Sequence, residues 1–171
     1  THFYSEPSVR AAERTGLSFG SRVSVTGTDG KFSVTPHGFV PTVHLRPLGD
    51  SFDDAAAVAE LFIGTPYLWG GNSRAGIDCS GLVQAALLAC GKPCPADSDM
   101  QLTVGVALEA DEALRRGDLI FWKGHVAIAV DGETLIHANG HSMSVAYENV
   151  ANCIARILAQ EGHPVLARRR P

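Results

Sequence analysis

Residues 65–90 read TPYLWGGNSRAGIDCSGLVQAALLAC. A Pro- and Gly-rich approach ends in Gly76-Ile77-Asp78, and an apolar helical pattern then begins at a cysteine. Asp78 is a good N-cap residue, so Cys79 is the first helical residue. It sits beside backbone N–H groups without intrahelical partners, at the positive end of the helix dipole. Both favour a thiolate, the nucleophilic form of cysteine. The same cysteine falls on the stripe Leu82, Val83, Ala86 and Leu87, at i+3, i+4, i+7 and i+8, where an inert packed thiol is the commoner occurrence. The choice between the two falls to the rest of the chain.

The chain has 171 residues and 45% hydrophobic content, enough for one medium domain or for a small domain joined to a larger one. A net charge of −4 carries no electrostatic footprint for nucleic acid, and the only basic run, Arg168-Arg169-Arg170, reads as a solvated tail. No apolar stretch approaches the roughly 18 residues that a membrane helix needs, so no membrane insertion is expected. The lack of a signal-peptide pattern, with a nucleophilic thiol, leads to an expectation of a cytoplasmic protein. Cys79, Cys90, Cys94 and Cys153 are expected to be free, because a chain of this length does not need staples. Cys90 and Cys94 bracket a helix exit without a second close cysteine pair, so no metal site is expected. Gly70-Gly71 lacks the lysine and spacing of a phosphate loop, and no cofactor is expected.

Upstream, Val23 and Val25 and then Phe32 and Val34 alternate around Asp29-Gly30, a hairpin signal. Gly38-Phe39-Val40-Pro41 and His44-Leu45-Arg46-Pro47-Leu48 add short extended pieces, so residues 1–48 are predicted to form a small β-barrel. Residues 49–53 are a linker. Ser51 is predicted to cap a helix with Asp53 and Asp54 in its first turn and a body from Ala55 to Phe62, stopped by Gly64-Thr65-Pro66. The quoted helix runs from Cys79 to about Ala89. Ser98 and Gln101 have the spacing of a capping box. Strands are predicted at Leu119 to Trp122, His125 to Val130 and Thr134 to Ala138. A β-rich region covers Ser144 to Tyr147 and Ile154 to Leu158, and no periodicity follows Glu161.

A nucleophilic thiol needs a base that takes its proton and later protonates the leaving amine, usually a histidine. Of seven histidines, His2, His37, His44, His141 and His163 read as surface residues. His125 and His137 stand on strands predicted to be neighbours. His125 shares its face with the small Ala127 and Ala129, which leave room for a facing group. A two-residue loop at Asp131-Gly132 would pair Val130 with Glu133 and send the two histidines to opposite faces. A shared site requires a three-residue connection, with Gly132 at positive φ, and that geometry is predicted.

A cysteine at a helix start, a histidine on a later strand and a polar group on the next strand follow the logic of papain-like hydrolases. The blocks Tyr67-Leu68-Trp69-Gly70-Gly71, Gly76-Ile77-Asp78-Cys79-Ser80-Gly81, Gly117-Asp118-Leu119-Ile120-Phe121, Gly124-His125-Val126-Ala127-Ile128 and Ile136-His137 resemble the NlpC/P60 cell-wall peptidases over about Asp53 to Leu158. The resemblance implies an α+β fold with a papain-like catalytic domain over residues 54–171. It further implies Cys79 as nucleophile, His125 as general base and acid, and His137 as the group orienting the imidazole. The Tyr67 hydroxyl would join the Cys79 backbone N–H at the oxyanion, while Asp78 and Ser80 would hold the substrate's free α-amine and γ-glutamyl region.

Residues 1–48, through Leu17-Ser18-Phe19-Gly20, Gly38-Phe39-Val40-Pro41 and His44-Leu45, resemble a bacterial SH3-like domain, with Phe39 where a tryptophan is common. This domain is expected to dock on the catalytic one and wall one side of a cleft. Tyr4 and Glu6, in its first loop, carry groups able to hold an amine, although exposed polar residues are the commoner reading. The combination resembles the subgroup that hydrolyses the bond after γ-D-glutamate in peptidoglycan peptides with a free N-terminal L-alanine, so a peptidoglycan-derived peptide is the expected partner. Two alternatives stand beside it: a papain-like amidase or acyltransferase of another specificity, and a non-catalytic module that binds wall peptide. Retention of Cys79, His125, His137 and Tyr67 together argues against the second.

Overall fold

The computed structural model describes residues 1–171. The chain forms two compact units, Thr1–Asp50 and Ser51–Pro171. In the first, β1 (His2–Tyr4), β2 (Glu13–Gly16), β3 (Gly27–Asp29), β4 (Phe32–Thr35) and β5 (Gly38–Pro41) are followed by a 3-10 turn at Thr42–His44. The strands make one antiparallel sheet in the order β2-β1-β5-β4-β3. The sheet is open, with β2 and β3 as its edges, so the predicted barrel does not close. Its short strands bury only a few large side chains, Phe3, Phe32 and Val40 among them. The hairpin lies one residue beyond the predicted turn: Asp29 pairs with Phe32, leaving Gly30-Lys31 as the loop, and Val23 and Val25 fall outside any strand. Tyr4 lies on β1 with its ring edge-on to Phe32 rather than in a loop.

The second unit begins with α1 (Ala55–Glu60). Its N-cap is Asp54, whose side chain accepts from Ala57 N at 3.0 Å, and not Ser51 as the sequence suggested. A two-stranded ribbon of β6 (Asn72–Ser73) and β7 (Gly76–Ile77) leads into α2 (Cys79–Ala89), on the residues predicted. The short α3 (Ser98–Gln101) follows, then β8 (Val106–Ala107), β9 (Leu119–Trp122), β10 (His125–Ala129), β11 (Thr134–Asn139), β12 (Ser144–Asn149), α4 (Val150–Glu161) and β13 (Ala167–Arg170). The last six strands form an antiparallel sheet ordered β12-β11-β10-β9-β13-β8. No helix is long and apolar enough to cross a membrane.

Helices cover both faces of this sheet, so its central strands are apolar on both sides. Leu119, Phe121, Val126, Ile128, Ile136 and Ala138 pack with α1 and α2, while Ile120, Trp122, Ala127, Ala129 and Leu135 pack with Cys153 and Ile157 of α4. On α2, Leu82, Val83 and Leu87 are each 1% exposed, burial worth about 1.5–3 kcal/mol per side chain. Cys79, Cys90, Cys94 and Cys153 are free thiols.

Three predictions fail downstream. Ile154 to Leu158 is helical, because Asn149 caps α4 by accepting from Asn152 N and Gly162 closes it in the left-handed conformation (φ 71°). Val150, Cys153, Ile154 and Ile157 then make a helical stripe, with Cys153 and Ile157 buried. Arg168 to Arg170 is no solvated tail: β13 is an interior strand between β9 and β8. The Arg170 guanidinium donates to both oxygens of the buried Asp118, each at 2.8 Å, and to Glu112 at 2.7 Å. Ser98 and Gln101 form no capping box, since Asp97 is the N-cap residue of α3 and makes no side-chain cap. Gln101 is fully buried and donates instead to the carbonyls of Ser80 and Pro95, each at 3.0 Å.

Candidate active site

Asp78 organises the entry to α2. Its Oδ1 accepts from Gly81 N at 2.7 Å and from the Ser80 hydroxyl at 3.1 Å, and its Oδ2 accepts from Gly70 N at 2.8 Å. The carboxylate thus caps the helix and straps the preceding loop to it. Gly71 completes the strap by accepting from Asp78 N at 3.0 Å. A Cβ at Gly81 would run into Gly71 O, so the contact between loop and helix demands glycine there. Tyr67 is held on the same approach: it bridges to Ile77, and its N–H donates to Met143 O at 2.9 Å. Its hydroxyl is pushed above the ordinary tyrosine value, first by burial and then by the neighbouring Cys79 and Asp78.

Cys79 is 6% exposed. Its thiol donates to Gly124 O across 3.9 Å, next to His125 in the chain. Burial pushes the thiol above its ordinary value, against the backbone N–H groups of Val126, Ser80 and Cys79 itself, which lower it. The thiolate anticipated from the helix start alone is therefore not the resting form. A helix dipole is worth about 0.3–1 kcal/mol, whereas burial of a charge moves a pKa by up to about 3–5 units, and burial wins.

The connection between β10 and β11 has the three-residue length predicted. Ile128 pairs with Ile136 and Ala129 with Leu135, Val130 N donates to Thr134 O at 2.8 Å, and residues 131–133 form the loop. Gly132 is not at positive φ; the turn is held by Asp131, whose Oδ1 accepts from Glu133 N and Thr134 N at 2.8 and 2.7 Å. This register places His125 and His137 on one face, with His125 Nε2 and His137 Nδ1 2.8 Å apart. Burial, reinforced by the neighbouring His137, holds His125 well below the ordinary histidine range, so its resting form is the neutral imidazole.

Two partners went unnoticed in the sequence. His137 Nε2 lies 3.0 Å from Glu148 Oε2, and Arg156 donates to both oxygens of that carboxylate at 2.8 and 2.7 Å. The arginine first, and His137 after it, holds the Glu148 carboxyl far below the usual carboxylate range. Glu148 was within reach of pattern reading, since it shares strand parity with Ala146, which pairs with His137. Arg156 was not, because it reaches Glu148 only from a helix, where the sequence pattern predicts a β-rich segment. The donor atoms of His137, Glu148 and Cys153 lie within 4.8 Å of one another, a spacing suited to a cation. Both Glu148 oxygens already face a guanidinium, so the donor set does not suit a metal ion.

Of the residues singled out in the sequence, His125 and His137 meet through their rings, the Cys79 thiol reaches the carbonyl of Gly124 next to His125 in the chain, and Tyr67 lies on the approach to α2. Asp78 and Ser80 are bonded to each other.

Residues 64–158 match the NlpC/P60 family. The chain belongs to that family. Among curated NlpC/P60 relatives, it is 38% identical over 101 residues to the gamma-D-glutamyl-L-lysine dipeptidyl-peptidase of Bacillus cereus, a stretch covering 54% of this chain and 30% of that protein. It is 36% identical over 84 residues to the probable endopeptidase NlpC of Escherichia coli, covering 44% of this chain and 54% of that one. The match therefore spans about a third to a half of these relatives' own length. The crystal structure of an NlpC/P60 family protein from Bacillus cereus superposes with a TM-score of 0.76 at 27% identity, over 98% of this chain and 59% of the other.

Proposed function

We propose that this chain is a cysteine peptidase that hydrolyses the γ-D-glutamyl–diamino acid bond of peptidoglycan peptides with a free N-terminal L-alanine. The observation that carries it is the 2.8 Å contact between His125 and His137 beside a buried cysteine at the first position of a helix. With His125 Nε2 engaged, its Nδ1 is the nitrogen free to take a proton. The Cys79 thiol gives its proton to that atom as sulfur attacks the γ-glutamyl carbonyl carbon. The resulting oxyanion is met by the Cys79 backbone N–H and the Tyr67 hydroxyl. His125 returns the proton to the leaving amine, and a thioester remains. Water, deprotonated by His125, attacks the thioester; the γ-carboxylate departs and the thiol is restored.

Asp78 and Ser80 are the proposed substrate-binding residues. The Asp78 carboxylate already accepts three donors, which leaves about one lone-pair site for an amine. The reading draws its γ-glutamyl specificity from the named Bacillus cereus relative.

The test is release of the diamino acid from L-Ala-γ-D-Glu-diaminopimelate and from the lysine analogue, with Cys79→Ala and an N-acetylated peptide as controls. Cleavage that needs both Cys79 and the free amine supports the proposal. Rapid alkylation of Cys79 without cleavage of either peptide points to an amidase or acyltransferase of another specificity. An inert thiol leaves a binding module.

A further inference from the structure

We infer that Glu148, clamped by Arg156, is a positioning residue for the reacting pair: acting through His137, it decides which nitrogen of His125 receives the thiol proton. The inference rests on the cysteine-peptidase reading above.

The geometry runs in one direction. Arg156 donates to both carboxylate oxygens of Glu148, so Glu148 is ionised and can only accept. Its Oε2 lies 3.0 Å from His137 Nε2, which must therefore carry a hydrogen. A neutral His137 with its hydrogen on Nε2 has a bare lone pair on Nδ1. That lone pair faces His125 Nε2 at 2.8 Å, so His125 Nε2 carries the hydrogen and His125 Nδ1 is the base. Without a fixed acceptor behind His137 the opposite chain is equally well bonded, with His137 Nδ1–H donating to His125 Nε2. His125 would then hold its hydrogen on Nδ1, where it cannot take one from Cys79.

The charges around His125 also balance. His137 meets it from β11, with Glu148 of β12 behind His137; α2 brings the Cys79 thiol to the carbonyl of the preceding residue, Gly124, and α4 contributes Arg156 and Cys153, whose sulfur is 3.8 Å from the arginine. Arg156 disfavours a proton on His125 and Glu148 favours one. The clamp thus keeps the relay oriented at rest, and the carboxylate offsets the imidazolium that forms on His125 during attack. His137 is fully buried at its side chain, and Glu148 and Arg156 are 19% and 14% exposed, so water screens little of this.

The experiment compares wild type, Glu148→Gln and Arg156→Gln by three readouts: peptide cleavage, the pH profile of Cys79 alkylation by iodoacetamide, and 15N NMR of the histidine tautomers. In Glu148→Gln the amide can donate to His137 Nε2. The kcat is expected to fall on the order of 100-fold with KM within about twofold, less than the roughly 10⁴-fold seen when a direct orienting carboxylate is neutralised. His137 is expected to lose its Nε2–H signature. The acid limb of alkylation, set by protonation of His125, is expected at lower pH in Glu148→Gln and at higher pH in Arg156→Gln. Unchanged tautomers and pH profile in folded Glu148→Gln, or displacement of both variants in the same direction, would overturn the inference. Should Glu148→Gln not fold, the double variant Glu148→Gln/Arg156→Gln is read in its place, and a wild-type tautomer pattern there sinks the idea. If wild type cleaves neither peptide, the substrate reading fails while alkylation and NMR still judge Glu148.

Discussion

Two carboxylates in the second unit are gripped by two-pronged arginines from late in the chain: Asp118 by Arg170 and Glu148 by Arg156. Asp118 also accepts from Arg115 N and is 1% exposed; its partner lies on β13, so the pair ties an interior strand into the sheet. Glu148 is partly exposed and bonds to His137, so its pair ends a chain of titratable groups that reaches His125. The same ionic device anchors architecture in one place and, in the other, backs the hydrogen-bonded histidine pair. What distinguishes them is the atom next to the carboxylate, a backbone N–H or an imidazole.

Breaking each pair separates the two roles. Asp118→Ala leaves Arg115 N without its acceptor and Arg170 without its main partner, and is expected to lower stability by about 2–3 kcal/mol in urea unfolding. The alkylation rate of Cys79 in the molecules that remain folded is expected to be unchanged. Glu148→Gln, by contrast, is expected to lower stability by only about 1–2 kcal/mol while moving the alkylation profile. Equal effects of both variants on both readouts would erase the distinction.

Acid unfolding sharpens it. His125 has a folded pKa below its unfolded value of about 6.5, so below that pH the unfolded chain binds a proton that the folded chain refuses. Stability from this group is complete above about pH 6.5 and is lost as pH falls. Glu148, also lowered by folding, contributes a second loss that begins near its unfolded value of about 4.3. His125→Asn is expected to flatten the upper window alone and Glu148→Gln the lower one, read as urea midpoints across pH 3–8. A slope between about pH 7 and 5 that persists without His125 would count against its buried neutral state.

The smallest expected effects lie at the two ends of α4. Asn149→Ala removes the cap beside Glu148, and Gly162→Ala forces a side chain into the left-handed region at the far end. Each is expected to cost about 1 kcal/mol in thermal or urea unfolding. Only Asn149→Ala is expected to disturb the Cys79 alkylation profile.

The site was legible wherever a short sequence range controls geometry. Asp78 as N-cap, Cys79 as the first helical residue and the odd loop that brings His125 and His137 to one face all follow from capping and strand parity. Glu148 follows from strand parity with Ala146, one residue past the predicted strand Ser144 to Tyr147, whereas Arg156 comes beside it only because Ile154 to Leu158 is helical. Gln101 was misassigned because capping-box spacing is local, whereas its partners, Ser80 and Pro95, are chosen by how α3 meets the start of α2. The first unit was read as a closed barrel although its paired strands end in two edges; turn residues announce strands but do not say whether the sheet joins up.

The family blocks, the helix that begins at Cys79 and the parity of the two histidines are written locally, because capping, period and loop length act within a few residues. Packing raises the Cys79 thiol, since burial outweighs the helix terminus, and draws Arg168 to Arg170 into an interior strand, since Asp118 faces it there. It also brings Glu148 and Arg156 together behind His137, because the two meet only when α4 packs beside β12.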